Sequence, residues 1–407
     1  MNFIDIHCHP SMKINLFNRH IYDVAHPGGT GLEFSTNMFV NLPNMKTGGV
    51  NAAISVHHIP EIELQDDVKR RAIGNLLVDT LDGACGPYMS RRFQDISTPT
   101  AAFGQMKAII NKFEDDVEAA TRMPHNFKAA VAKSLTEFNH LISNGYTVFL
   151  HSIEGAHCLG INSLDYNTVE PEIIALFNAG VCQFTLGHFF ENVLVSSSGG
   201  IPPKIADLID YNTGNNYPAG YNPATAQQAI AKMLDLGIII DLVHTHSSAK
   251  QMIYTLNKNR GVDKRPLVFS HTGIQEIALK YNPKMPQQYY EYLPNATDIA
   301  EIRDCGGVLG IIFMDYWLEG NESTQAAIDI VIETIQFIAA KCGSKYDNIA
   351  IGSDLDGFTE VPRDLSGSDK MPALIDAMSR SGIQMSDIEN ICFNNYMRVL
   401  KNGWGKQ

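Results

Sequence analysis

The stretch GIIIDLV, residues 237–243, is nearly all apolar and is followed directly by His244. GVLGIIF, residues 307–313, has the same character. Strands that lack alternating polar residues fit a parallel sheet buried on both faces, and they do not fit an antiparallel sheet with one face in solvent. The fold class is therefore predicted to be α/β.

Six further runs rich in β-branched and aromatic residues complete a set of eight predicted strands: 3–7, 50–56, 147–151, 182–186, 267–270 and 349–353. Helical patterns separate most of the strands, at 124–143, 171–179, 224–236, 249–257, 298–305 and 323–341. Eight strands alternating with helices predict a (β/α)8 TIM-type barrel. An open doubly wound sheet is the competing fold, since eight parallel strands can also remain open.

The whole chain, residues 1–407, is predicted to form a single barrel domain with two insertions. Residues 61–146, after the second strand, should add two or three helices beside the barrel. Residues 196–223 are rich in Gly, Pro, Ser and Asn. This composition predicts either a functional loop or lid, or a solvated surface insertion.

The charge balance is acidic, with 31 Lys and Arg against 44 Asp and Glu, a net charge of −13. This balance argues against nucleic acid or an anionic membrane as a partner. The seven cysteines lack Cys-x-x-Cys spacing and are predicted to be reduced core thiols. With no apolar leader or tail, we expect a cytoplasmic protein without a membrane anchor, or a secreted or periplasmic one if a signal peptide has been removed.

Histidines and carboxylates occur at the ends of six predicted strands, and the carboxyl ends of barrel strands converge on a single mouth. The residues are His7 and His9 after the first strand, Glu154 after the third, His188 after the fourth, His244 after the fifth, His271 after the sixth and Asp354 after the eighth. Gathered there, they would repel one another or lack partners unless a cation neutralised them.

Imidazole and carboxylate are ligands that zinc prefers. Four histidines and one carboxylate exceed what a single tetrahedral catalytic zinc needs. The sequence therefore predicts two zinc ions bridged by Glu154, with a single ion as the alternative.

Six motifs, in this order along the chain, resemble the membrane dipeptidase (renal dipeptidase) family of metallopeptidases, within the amidohydrolase superfamily. They are IDIHCHP at 4–10, HSIEGAHCLG at 151–160, QFTLGHFFEN at 183–192, DLVHTH at 241–246, VFSHTG at 268–273 and YDNIAIGSDLDGF at 346–358. The closing stretch NICFNNYMRVL at 390–400 is similar to the family's C-terminal helix. The resemblance implies a distorted (β/α)8 barrel, commonly a homodimer, that carries two zinc ions.

The resemblance also implies the role of each site residue. It assigns five metal ligands: His7 and His9 for one ion, His244 and His271 for the other, and Glu154 for both. His188 would contact the substrate or polarise its carbonyl, and Asp354 would transfer the proton. The implied reaction is hydrolysis of a dipeptide or similar small amide by a hydroxide between two zinc ions, with Asp354 as general base and then acid.

Two features depart from the family pattern. The first motif is His7-x-His9, where the family usually has His-x-Asp. The family also carries an arginine for the substrate carboxylate after the sixth strand, whereas residues 271–298 contain none and offer only Lys280 or Lys284 as a point charge. An amidohydrolase acting on N-acyl amino acids, cyclic amides or lactones is therefore the alternative, and a non-catalytic scaffold barrel is a third.

Several neighbouring residues have a structural interpretation. His246 competes with His244 for one ligand role, and His244 is favoured because it ends the strand. His151 and His157 are predicted to be structural. Asp5 and Asp241 lie inside apolar strands, where a buried carboxylate needs hydrogen-bond partners.

Overall fold

The computed structural model describes residues 1–24, 37–59, 61, 102–123, 127–160, 165–201, 221–287, 290–319, 327–357 and 363–405. Within these ranges, nine parallel strands form one sheet: β1 (Ile4–Cys8), β2 (Ala52–His58), β3 (Ala129–Val131), β4 (Thr147–Glu154), β5 (Val181–Thr185), β6 (Ile239–Asp241), β7 (Val268–Thr272), β8 (Val308–Ile311) and β9 (Ile349–Ile351). The strand order is β2-β1-β9-β8-β7-β6-β5-β4-β3.

The sheet closes on itself because β2 also pairs with β4. This pairing runs without interruption from Ala52 opposite Val148 to His58 opposite Glu154. Eight strands thus form a closed parallel barrel, as the sequence predicts, and the open doubly wound alternative is wrong. Strand β3 lies outside the ring and pairs with the start of β4.

Helices surround the barrel. In the described ranges they are α1 (Pro10–Phe17), α2 (Leu42–Gly48), α3 (Ala102–Ala120), α4 (Leu135–Ser143), α5 (Tyr166–Asn178), α6 (Pro223–Leu236), α7 (Ser247–Lys258), α8 (Gln275–Tyr281), α9 (Ala296–Asp304), α10 (Asp315–Glu319), α11 (Ala327–Lys341), α12 (Met371–Arg380), α13 (Met385–Glu389) and α14 (Asn395–Gly403). Among the residues described, no helix is long and apolar enough to span a membrane.

The helix predicted over 124–143 is wrong in its first half. Strand β3 occupies part of it, and α4 begins only after Ser134. The Ser134 hydroxyl accepts a hydrogen bond from the Glu137 backbone N–H, while the Glu137 carboxylate accepts one from the Lys133 N–H. This Ser-x-x-Glu spacing is a helix-start signal, and it overrides the apparent helical pattern upstream.

Helix α14 closes one end of the barrel. Tyr396, Val399 and Leu400 belong to the same buried cluster as Ile4 and Val148, near the amino ends of their strands. The Tyr396 hydroxyl donates to the Gln183 side chain at 2.6 Å. The opposite end, where the strands finish, is therefore left for the polar residues.

The two predicted insertions are described only in part. Helices α3 and α4 lie within 61–146, while residues 62–101 lie outside the described residues, so the helical insertion stays a prediction. Most of the predicted loop, residues 202–220, also lies outside them. The assignment of the whole chain to a single domain stays a prediction.

Candidate metal centre

Glu154 lies at the middle of a buried cluster at the carboxyl ends of the strands. Its Oε1 is 3.5 Å from His7 Nε2 and 3.7 Å from the Nε2 atoms of both His244 and His271. Its Oε2 is 3.5 Å from His9 Nε2. Four imidazoles from three strand ends thus direct a ligand-type atom at one carboxylate.

Asp354 and His188 complete the cluster. Asp354 Oδ1 is 3.0 Å from His9 Nε2, and His188 Nε2 is 3.9 Å from Glu154 Oε2. A Cβ at Gly357 would lie 2.5 Å from Asp354 Oδ1 and 2.7 Å from the His9 ring, so glycine keeps the space beside both groups free. The structure brings all seven predicted site residues together, and their roles stay predictions.

Local backbone geometry directs these side chains into the mouth. Glu154 continues the inward-facing series of β4, two residues apart, which also contains Val148 and Leu150. His244 and Asp354 each follow a strand by three residues and have φ values of 60° and 59°. A non-glycine residue in this region costs roughly 1–3 kcal/mol, and such strain clusters at functional sites.

Ser270 fixes the protonation of two imidazoles. Its hydroxyl donates to Asp241 Oδ2 at 2.5 Å, so its oxygen can only accept from His7 Nδ1 at 2.8 Å and His271 Nδ1 at 2.9 Å. Both rings therefore carry their proton on Nδ1. Their Nε2 atoms present lone pairs to the centre.

His244 is fixed in the same way, since its Nδ1 donates to the carbonyl oxygen of Gly199 at 2.5 Å. As a result, two lone-pair nitrogens, His244 Nε2 and His271 Nε2, face each other at 3.3 Å without a hydrogen between them. Such an arrangement is repulsive unless a cation lies between the nitrogens. The donor set fits a divalent ion of the zinc class.

Burial disfavours charge on His7, His244, His271 and Glu154 when no cation is present. It lowers the pKa of His7 and His271 well below 6.5 and that of His244 to about 4. Burial also raises the pKa of Glu154 well above 4.5, and the nearby Asp354 carboxylate adds to this shift. Protons on these three imidazoles therefore do not supply the missing positive charge at neutral pH, whereas a metal ion would.

Ser270→Ala should weaken zinc binding by about 10- to 100-fold, the usual effect of removing a group that orients metal ligands. The loss follows because His7 and His271 would no longer be held with Nδ1 protonated. Competition with a chromogenic zinc chelator measures the affinity. Ser248→Ala, which alters a hydroxyl beside His246 at the start of α7, is the matched control and should leave zinc affinity unchanged. Equal affinities in all three proteins would contradict the role given to Ser270.

Residues with a predicted structural role lie outside the cluster. His246 caps α7, because its Nδ1 accepts from the Ser248 N–H at 3.3 Å. His151 contacts His57 and Glu114 on the outer face of β4. His157 donates to the Ile59 carbonyl oxygen at 2.6 Å.

The two buried carboxylates are also paired. Asp5 accepts hydrogen bonds from the Ser353 N–H at 3.0 Å and from the Ser353 hydroxyl at 2.5 Å, while burial raises its pKa to about 7. Asp241 accepts from Thr185 and Ser270 at 2.5 Å each. Both residues thus have the hydrogen-bond partners that a buried carboxylate needs.

Of the two lysines considered as substitutes for the missing arginine, one is paired elsewhere and the other is exposed. Lys280 Nζ forms an exposed ion pair with Glu333 at 2.6 Å, and Lys284 is exposed. Asn295 and Asp298 form the capping box of α9. This segment therefore builds a helix start where the family pattern has a substrate-binding arginine.

Sequence reasoning missed His58 and Glu61, which adjoin the cluster. The Glu61 Oε1 atom accepts from His188 Nδ1 in a close contact and from the Phe189 N–H at 3.1 Å. The rule that found the other residues, polar side chains at strand ends, also applies to the second predicted strand, where His58 follows by two residues.

The fold and this cluster define a class of protein, a (β/α)8 barrel with a histidine and carboxylate metal centre at the carboxyl ends of its strands. The sequence profile of membrane dipeptidases, peptidase family M19, matches residues 1–403. The chain therefore belongs to this family.

Two relatives named as dipeptidases support the assignment at low identity. An uncharacterised dipeptidase of Schizosaccharomyces pombe is 27% identical over 246 residues, 60% of this chain and 52% of that protein. Dipeptidase aclJ of Aspergillus oryzae is 22% identical over 303 residues, 73% of this chain and 62% of that protein. The matched part thus spans little more than half the length of these relatives.

Solved structures share the fold across the whole chain. The dipeptidase AC, a metallopeptidase of family M19, has a TM-score of 0.69 at 17% identity and covers 100% of this chain and 99% of its own. A metallopeptidase from Rhodobacter sphaeroides, liganded with a phosphinate mimic of the dipeptide L-Ala-D-Ala, also scores 0.69 at 17% identity, over 99% of each chain.

Proposed function

We propose that this protein is a zinc-dependent hydrolase that cleaves a dipeptide or a similar small amide. The observation that carries the proposal is the set of imidazoles held by Ser270 and Gly199 with their Nε2 lone pairs directed at Glu154. Such a buried arrangement has no use in a scaffold, because it costs free energy until a cation binds. Family membership supports the same class of reaction.

In this proposal two zinc ions bind, one held by His7 and His9, the other by His244 and His271, with Glu154 shared. When bound, such ions lower the pKa of a water to about 7 and polarise a carbonyl group. The replacement of the family's Asp by His9 leaves the first site one negative charge poorer. This change should make the first ion the more easily removed of the two.

The remaining steps belong to two side chains of the chain itself. Asp354 accepts the proton from the attacking water and passes it to the leaving amine, the two duties of a carboxylate acid and base. His188, directed into the cluster from the loop after β5, contacts the carbonyl oxygen of the substrate. The burial of both side chains excludes bulk water and strengthens these interactions.

A second candidate is an amidohydrolase acting on N-acyl amino acids, cyclic amides or lactones. It is favoured by one observation, the engagement of Lys280 with Glu333, which leaves that lysine unsuited to replace the arginine. Both candidates use the same metal centre. They differ only in what holds the substrate.

The homodimer and the cytoplasmic location are further parts of the proposal. The homodimer rests on the family resemblance. Light scattering coupled to size-exclusion chromatography measures the molar mass, for which a dimer predicts twice 44.9 kDa. Fractionation of the source cells measures the location.

Removal of the metal and a substrate panel test the function. We expect chelator treatment to abolish hydrolysis and zinc to restore it, with dipeptides cleaved faster than N-acetyl amino acids or lactones. The panel should pair L and D residues at the C-terminal position, because the mimic bound to the Rhodobacter enzyme ends in D-Ala. Turnover of acyl amino acids or lactones alone would support the second candidate, and zinc uptake without any hydrolysis would contradict both.

A further inference from the structure

His58, Glu61 and His188 form a second group of metal-type ligands beside the centre. They come from the end of β2, the segment after it and the loop after β5, and their ligand atoms lie within 4.8 Å of one another. Their side chains are 9%, 1% and 8% exposed, respectively. In the proposed function only His188 has a role.

The proton on His58 can be placed from its surroundings. Its Nδ1 lies 3.2 Å from the backbone carbonyl oxygen of Glu154, which can only accept, so Nδ1 donates. The neutral ring then has a lone pair on Nε2. That atom faces the Glu61 Oε2 atom at 3.6 Å.

Two acceptors that face each other in a buried site repel unless positive charge separates them. The 3.6 Å spacing exceeds a hydrogen bond. It is close to the separation of about 3.4 Å expected for a nitrogen and an oxygen that bind the same zinc at tetrahedral angles. The geometry of His58 and Glu61 therefore suits a shared ion better than a shared proton.

His188 supplies a third donor to the same space. Its Nδ1 contacts Glu61 Oε1, and without a cation this nitrogen must carry the proton. Nε2, the atom directed towards Glu154, then carries a lone pair and cannot donate to a carbonyl oxygen. An ion on Nδ1 would displace that proton, because metal binding requires deprotonated ligands. The neutral ring would then carry its hydrogen on Nε2.

We propose that His58, Glu61 and His188 bind a third divalent ion of the zinc class. Two imidazoles and one carboxylate suit such an ion. The ion holds His188 in the form that donates from Nε2 to the substrate, and this consequence rests on the proposed function. The site itself does not, because it is defined by its own three ligands.

Metal content tests the site. The full chain is stripped with chelator, incubated with zinc alone, desalted and analysed by mass spectrometry for zinc per chain. We expect three equivalents in the natural protein and two in both His58→Gln and Glu61→Gln. His157→Gln is the matched control and should keep three, because the His157 ring lies 5.5 Å from that of His58 but outside the ligand group.

Anomalous diffraction at the zinc edge gives a second measurement that needs no variant. A peak between His58, Glu61 and His188 supports the site, and density there without an anomalous signal overturns it even if a variant fails to fold. Two equivalents in the natural protein, or three retained in Glu61→Gln, also overturn it while leaving the two-ion centre and the hydrolysis of the proposed function intact. No zinc uptake at all would overturn both.

Discussion

Glu154→Gln should lose the zinc of the central cluster and, with it, hydrolysis. Removing a group that merely orients a ligand costs about 10- to 100-fold in metal affinity, so we expect more than about 100-fold here. Glu154 is the residue whose two oxygens lie 3.5–3.7 Å from the Nε2 atoms of all four histidine ligands. An amide in its place keeps the volume but removes the negative charge between those nitrogens.

Zinc affinity by chelator competition and turnover on the same sample measure the effect. Glu114→Gln is a suitable control, because Glu114 accepts from His151 on the outer face of the same strand and does not approach the cluster. The control should bind zinc normally. Normal zinc affinity in Glu154→Gln would show that the four imidazoles suffice and that this carboxylate is not shared by two ions.

The sequence predicts the barrel well because buried parallel strands have a recognisable sequence pattern. Runs such as 237–243, apart from Asp241, and 307–313 are apolar, and only a sheet covered on both faces requires this. Closure depends instead on the pairing of β2 with β4, across the long insertion, and no local pattern encodes it. Strand β3 is missed because three residues are too few to show a period.

The candidate site, like the fold, was predictable from the sequence only in part. Its residue types and their positions after strands were predictable, because every barrel strand ends at the same mouth. The protonation of His7 was not, since it depends on Ser270, which is 263 residues away in sequence. Glu61 was missed because it lies after a strand in an insertion, where no repeating pattern points to the mouth.

Asp354→Asn should keep its zinc and lose about 10²- to 10⁴-fold in kcat, the usual contribution of a general base. Asp354 Oδ1 lies 3.0 Å from His9 Nε2 at the edge of the cluster, where it can reach a water held there. Its backbone N–H donates to the His7 carbonyl oxygen at 2.9 Å, so the asparagine should keep the same position. The amide cannot accept a proton at neutral pH, so the variant should lose proton transfer while it keeps zinc binding.

The pH dependence of kcat tests the same role of Asp354. Burial raises the pKa of Asp354 above 3.8, the nearby His9 opposes the shift, and the group acts as a base only when ionised. The kcat of the natural protein should therefore fall as the pH falls through that pKa, and Asp354→Asn should lack this step. Asp356→Asn is the matched control, because the Asp356 carboxylate accepts from the Phe39 and Val40 N–H groups, so its loss should lower thermal stability rather than kcat. A larger fall in kcat for Asp356→Asn than for Asp354→Asn would show that Asp354 is not the residue that transfers the proton.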